Sequence, residues 1–476
     1  MFRARLLVSA VVAVAVSIVD PTAHAAGNAA NWPAYLGSPQ HRSFAAGETT
    51  ITPANAGSLS PVWNWLPDRP TQTGQPGPHL FASPTVFRDT VYIGAETGAF
   101  YALDLATGAV KWQADVGWVP DLTCGKEGVT STATVKGDAT TGKAAVYVGG
   151  GDGYLYAFDA VTGSLLWRSF VVDTGASSGE NSGYLWSSPT VTHGRVYIGM
   201  SSQCDQPLIP GGLKAFDQST GALLATYWTM GDDVQIGGSI WSSAAVSGGS
   251  AVYVTTGNGA KDAPKGDSFS IVQLDAATLA KEQIWTLANP VGDIDFGGSP
   301  TLFTETVGGK KRSLVGACNK NGVYYTFITS NLGAGPIWTF DVGAPDMVGP
   351  GLCIAAAAFD GTRLFIAGNG TTIGGQSYRG SVRQIDPATG QPIWETGLPG
   401  TVLGSPSLDG AGVLAAVTDD PFVANACYLL DASTGSIVGT VPIPDAGAFS
   451  QPVFTNGYLL VAGIKGGLTA YHVSGR

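Results

Sequence analysis

Apolar and polar positions along this chain alternate in short runs, and the runs recur as a unit. "FASPTVFRDTVYIGAETGAFYALDLATGAVKW" (81–112) is followed by "GVTSTATVKGDATTGKAAVYVGGGDGYLYAFDAVTGSLLW" (128–167) and by a third copy over 185–228. Five further units occupy 240–285, 297–338, 353–394, 403–441 and 449–473. A full unit holds four runs rich in Val, Ile, Tyr and Phe, bounded by Gly, Asp or Thr-Gly, which predicts a four-stranded antiparallel meander. The turn D-x-x-T-G recurs at 104–108, 159–163, 217–221, 386–390 and 431–435. Its Asp and Thr side chains bond the turn backbone, and its Gly supplies the positive φ of a tight hairpin. The Trp that follows in many units (Trp112, Trp167, Trp285, Trp338, Trp394) is expected on the outer strand, wedged between neighbouring units.

The eighth unit ends at "AYHV" without its last strand, and "LSPVWNW" (59–65) resembles the missing piece. The pattern therefore predicts an all-β fold, a closed ring of eight four-stranded blades completed by the N-terminal strand. Closure removes the sheet edges an open array would expose. An open solenoid would need no such complementary ends.

The flanks and composition add less. Arg3 and Arg5 precede the apolar run "LLVSAVVAVAVSIV", and "AHA" at 23–25 offers a cleavage site, so residues 1–26 read as a signal peptide and 27–476 as the propeller. No later apolar run approaches the ~20 residues of a membrane helix. A secreted or periplasmic protein without a membrane span is expected. The 67 glycines suit a turn-rich β protein, and the net charge of −11 argues against a nucleic-acid partner. Five cysteines (Cys124, Cys204, Cys318, Cys353, Cys427) allow one or two disulfides and leave at least one thiol. No C-x-x-C spacing occurs, so neither a zinc ribbon nor a c-type haem attachment is expected.

With one sequence, the repeats serve as controls for one another. In a propeller the links into each first strand and the turns between second and third strands share one face, and departures from the repeat there mark candidate sites. Aligned on the "SP" of each first strand, Asp295 in "NPVGDIDFGGSP" corresponds to His79, Gly128, Tyr184, Ser239, Thr401 and Gly447, none of them acidic. Asp293 is less distinctive, because Asp445 holds its equivalent position in the last unit. Lys320 in "ACNKNGVYY" and Asn258 in "VTTGNGAKDAP" fall in inner turns of adjacent units. Trp241 in "GSIWSSAAV" lies nearby, with a repeat counterpart at Trp186. An aromatic platform, an amide oxygen, a carboxylate and an ammonium on one face suit a flat polar ligand and a hard cation.

Here the sequence resembles the quinoprotein alcohol dehydrogenases, eight-bladed propellers carrying pyrroloquinoline quinone (PQQ). The repeat "GYLYAFDAVTGSLLW" is similar to theirs, and also to that of non-catalytic propellers in outer-membrane barrel assembly. "IWSSAAVSGGSAVYVTTGN" looks like the family's stacking Trp ahead of a calcium-ligating Asn. The resemblance thus implies Trp241 and Asn258 in those roles. "GDIDFGGSP" looks like the acidic motif that holds the catalytic base, implying Asp295, which also faces the metal. "NKNGVYY" implies Lys320 against the quinone carbonyl. The family's calcium-binding Glu has no counterpart in "GMSSQCDQPLIPGG", where Asp205 is the nearest substitute and Gln203 a weaker one. The adjacent cysteine pair that often covers the quinone is missing, Cys124 being single. The resemblance implies a PQQ- and calcium-dependent oxidation of a small or polymeric alcohol, with electrons leaving to a separate acceptor. The alternative is a binding or assembly scaffold that keeps the framework without the chemistry.

Overall fold

The computed structural model describes residues 30–474 apart from 120–124, 138–141, 176–182, 261–264, 291, 345–352 and 445. The expected signal peptide, Cys124 and Asp445 lie outside the described residues. The described residues form eight sheets, in sequence order blades one (85–115), two (134–170), three (183–228), four (245–286), five (301–341), six (358–398), seven (407–442) and eight (453–473). Each blade is an antiparallel meander, as the period of the sequence predicts. Blade eight is completed by Leu59–Trp65, antiparallel to Gly467–Val473, so the ring closes through the N-terminal strand. No helix among the described residues is long and apolar enough to cross a membrane.

The D-x-x-T-G turns work through their side chains. Asp104 Oδ1 accepts from the Ala106 amide, the Thr107 amide and the Thr107 hydroxyl, and Asp159 repeats the pattern. The closing Gly has a second duty besides positive φ, because the wedge Trp of the preceding blade lies against it. A Cβ on Gly163 would stand 2.6 Å from the Trp112 ring, whose Nε1 donates to Ala160 O at 3.1 Å. Trp167, Trp338 and Trp394 do the same to the next blade's turn, and Trp63 does so from the closing strand.

One departure corrects the sequence reading. Trp285 does not hold the wedge position. Gln283 does, two residues earlier in the strand, donating to Thr329 O and accepting from the Leu332 amide of the 3₁₀ segment Thr329–Ala334. Blade five has this segment in place of a D-x-x-T-G turn. Trp285 packs instead on Phe296, Tyr325 and Phe327. Where blade three has Ala225 in the wedge position, blade four closes its turn with Leu279 at φ 57. The Leu279 side chain is buried beside Ala225, so packing offsets a left-handed backbone that costs a non-glycine residue about 1–2 kcal/mol.

The inner strands line a central channel in layers. In the "SP" layer, a backbone amide of one blade donates to the hydroxyl of the next: Ser83 to Thr132, Thr132 to Ser188, Ser188 to Ser243, and Ser243 to Ser299, at 2.9–3.0 Å. Blade six interrupts this girdle with Ala356, which has no hydroxyl. The phenol of Tyr35 fills the gap, meeting Ser405 Oγ at 3.2 Å and Ser299 on the other side.

Tyr35 belongs to an N-terminal segment in which the sequence shows no repeat. It follows the first strands around the ring, its carbonyls at Trp32, Pro33, Pro39, Gln40, Arg42 and Ser43 accepting from Val86, Val135, Val246, Leu302, Phe359 and Leu408. Those six donors occupy equivalent positions in their blades, so the segment runs inside the channel beyond the hydroxyl girdle. It ends as Phe44–Ala45, a fifth strand parallel to Ser407–Asp409 of blade seven.

Candidate active site

The channel opens into a cavity of about 500 Å³ lined by Trp186, Trp241, Asp205, Asp293, Asp295 and Lys320 on blades three to five. Blades six, seven, eight and one contribute apolar lining, Ile354, Leu403, Phe449 and Phe81, and Tyr35 also lines the cavity.

Glycine makes the platform. A Cβ on Gly297 would stand 2.1 Å from the Trp241 ring, so this ring crosses toward blade five only because residue 297 has no side chain. Trp241 Nε1 then donates to Asp295 Oδ2 at 3.0 Å. The turn of blade five folds back on the same link, Lys320 N donating to Asp295 O at 3.0 Å. That contact sets Lys320 Nζ 2.9 Å from Asp295 Oδ1, 2.7 Å from Asp293 Oδ1 and 5.0 Å from the centre of the Trp241 ring. Asn258, buried in the inner turn of blade four, donates through Nδ2 to Asp205 Oδ2 at 3.0 Å and to Asp293 Oδ1 at 2.7 Å. All five residues singled out from the sequence thus belong to one network.

Burial sets the electrostatics. Desolvation pushes the Asp295 carboxyl upward, with the Lys320 ammonium pulling it back. Desolvation also works against the charge on Lys320, but Asp295 and Asp293 outweigh it and hold the ammonium charged. Asp205 is raised mainly by burial. Among the described lining residues Lys320 is the single cation facing three aspartates, so the cavity carries excess negative charge.

The donor chemistry fits a hard cation. Among the described residues Asn258 Oδ1 is buried without a hydrogen-bond partner, a costly state unless a cation or a donor meets it. The Nδ2 side of the same amide faces the carboxylates of Asp205 and Asp293, and carboxylate oxygens are what Ca²⁺ prefers. Among the described residues no three Asp, Glu, His or Cys side chains close on one point, so part of any cation's shell must come from ligand or water. The Trp241 face and the ammonium above it fit a flat, carbonyl-bearing ring.

Sequence comparison within the repeats undervalued Asp293, whose Oδ1 receives two of the hydrogen bonds above. Its signal was diluted by Asp445. Cys318 and Cys353 form a disulfide that staples blade five's second strand, two residues before Lys320, to the entry of blade six. Cys204, beside Asp205, is also disulfide-bonded, and Cys427 is a buried free thiol.

Residues 32–342 match the sequence profile of the glucose/ethanol/alcohol dehydrogenase β-propeller domain, the PQQ family. The chain belongs to the PQQ β-propeller family. Residues 331–438 of this PQQ-family chain also match the profile of outer membrane protein assembly factor BamB. A polyvinylalcohol dehydrogenase of Sphingopyxis sp. (strain 113P3) is 28% identical over 327 residues, covering 58% of this chain and 46% of that protein. The dehydrogenase subunit of a Gluconobacter oxydans quinone alcohol dehydrogenase is 26% identical over 321 residues, covering 58% and 40%. This PQQ propeller therefore spans less than half the length of these curated relatives. The crystal structure of the Comamonas testosteroni quinohemoprotein alcohol dehydrogenase superposes with a TM-score of 0.72 at 18% identity, over 94% of this chain and 81% of that one.

Proposed function

We propose that this chain is an exported, PQQ- and calcium-dependent alcohol dehydrogenase that passes its electrons to a separate acceptor. One observation carries the reading: in a member of the PQQ family, Trp241, Asp295 and Lys320 meet at one cavity, and Asn258 joins their network through Asp293. Asn258, Asp295 and Asp205 would hold calcium, and Trp241, Lys320 and Asn258 would hold the quinone. Bound PQQ would supply the hydride acceptor and calcium would supply Lewis acidity.

The chain's own residues then have separate tasks. Trp241 stacks beneath the ring, and its Nε1 keeps Asp295 Oδ2 aimed across the cavity. Asp295 takes the proton of the alcohol O–H as general base. Lys320 donates toward the oxygen on which negative charge develops, in a site where burial strengthens the interaction. The apolar lining at Phe81, Ile354, Leu403 and Phe449 limits water in the cavity. The cavity has three aspartates against one lysine, so a cation held there would offset its excess negative charge.

The test is titration of purified apoprotein with PQQ, with and without calcium, following bound quinone absorbance and alcohol-dependent dye reduction. Calcium-dependent binding with dye reduction is expected. A flat titration would overturn the reading. It would favour a binding or assembly scaffold, for which the apolar lining at Phe81, Ile354, Leu403 and Phe449 and the BamB-type profile over 331–438 are the supporting observations.

A further inference from the structure

We propose that Asp293 is a positioning residue of this site, fixing the Lys320 ammonium and the Asn258 amide to each other. The inference rests on the metal-site reading above and adds a residue to it. Asp293 Oδ1 is 2.7 Å from Lys320 Nζ and 2.7 Å from Asn258 Nδ2, so one oxygen ties the lysine of blade five to the inner turn of blade four.

The consequence for Asn258 is orientation. An amide has two N–H bonds, and here Asp205 and Asp293 engage both. Flipping the amide would turn its oxygen against two carboxylates. Oδ1 is therefore fixed on the side away from Asp205 and Asp293, buried and without a hydrogen-bond partner among the described residues. The consequence for Lys320 is location. Nζ hangs between Asp293 and Asp295 above the Trp241 ring, and without Asp293 it has one anchor instead of two. The Asp293 side chain is 57% exposed, so its role is in geometry and not in core packing.

Terbium(III) alone, added to the full-length apoprotein and excited through tryptophan, reads the site without any turnover. Wild type should give sensitised luminescence that Trp241→Phe lowers sharply. Asp293→Asn and Asp293→Glu should each weaken terbium binding about 10–100-fold, the range for partners that orient a metal ligand, with unchanged melting curves. Asp293→Glu keeps the charge and moves the oxygen, so it separates position from charge. Wild-type affinity in the Glu variant would overturn the inference in favour of charge alone, and wild-type affinity in both variants would overturn it outright. Absence of a Trp241-dependent signal in the wild type would instead remove the metal-site reading itself, and the inference with it.

Discussion

Glu96, in the inner turn of blade one, provides a stability prediction that owes nothing to the quinone. It is 2% exposed; Oε2 accepts from the Gly128 amide at 3.0 Å and Oε1 has no hydrogen-bond partner among the described residues. Burial raises its carboxyl to about 7 from an ordinary 4.5, and nearby Glu127 is raised to about 8, by burial first and by Glu96 second. A carboxyl with a raised folded-state value binds its proton more tightly in the native protein. Its contribution is complete below pH 4.5 and is lost as pH rises through 7. At about 1.4 kcal/mol for each pH unit between those values, the loss is about 3 kcal/mol at pH 8.5. Glu96→Gln keeps the shape and the acceptor for Gly128 while removing the titration. Denaturant unfolding followed by tryptophan fluorescence should find the two proteins nearly equal at about pH 4. The variant should become more stable by up to about 3 kcal/mol at pH 8.5. A difference that does not change with pH, or that narrows as pH rises, would refute the reasoning.

Two further outcomes test the fold. Gly163→Ala places a Cβ 2.6 Å from the Trp112 ring on a backbone at φ 70, and should cost about 2–4 kcal/mol in unfolding experiments from strain and overpacking together. Tyr35→Phe removes the phenol that completes the hydroxyl girdle at blade six, and should cost about 0.5–1.5 kcal/mol by the same measurement. An Ala356→Ser change on that background should recover part of the loss.

The ring was legible because every blade restates the same period, and because the missing strand of the last unit lies in "LSPVWNW". The D-x-x-T-G turns were legible because their chemistry is local. The wedge at Gln283 was not, since a nearby Trp285 imitates the consensus and only the strand register separates the two. The segment around Tyr35 carries no repeat, and its pairing is made by carbonyls, which sequence does not display. In the site, Asp295 stood out as the acidic exception among its repeat counterparts. Asp293 did not, because its importance lies in which two donors share its oxygen, a property of three dimensions.

The most direct test of the central claim is dye-linked alcohol oxidation by Asp295→Asn loaded with PQQ and calcium. The variant should retain the bound quinone absorbance and lose about 10²–10⁴-fold in turnover, the usual contribution of a general base. Quinone binding with undiminished turnover would contradict the account.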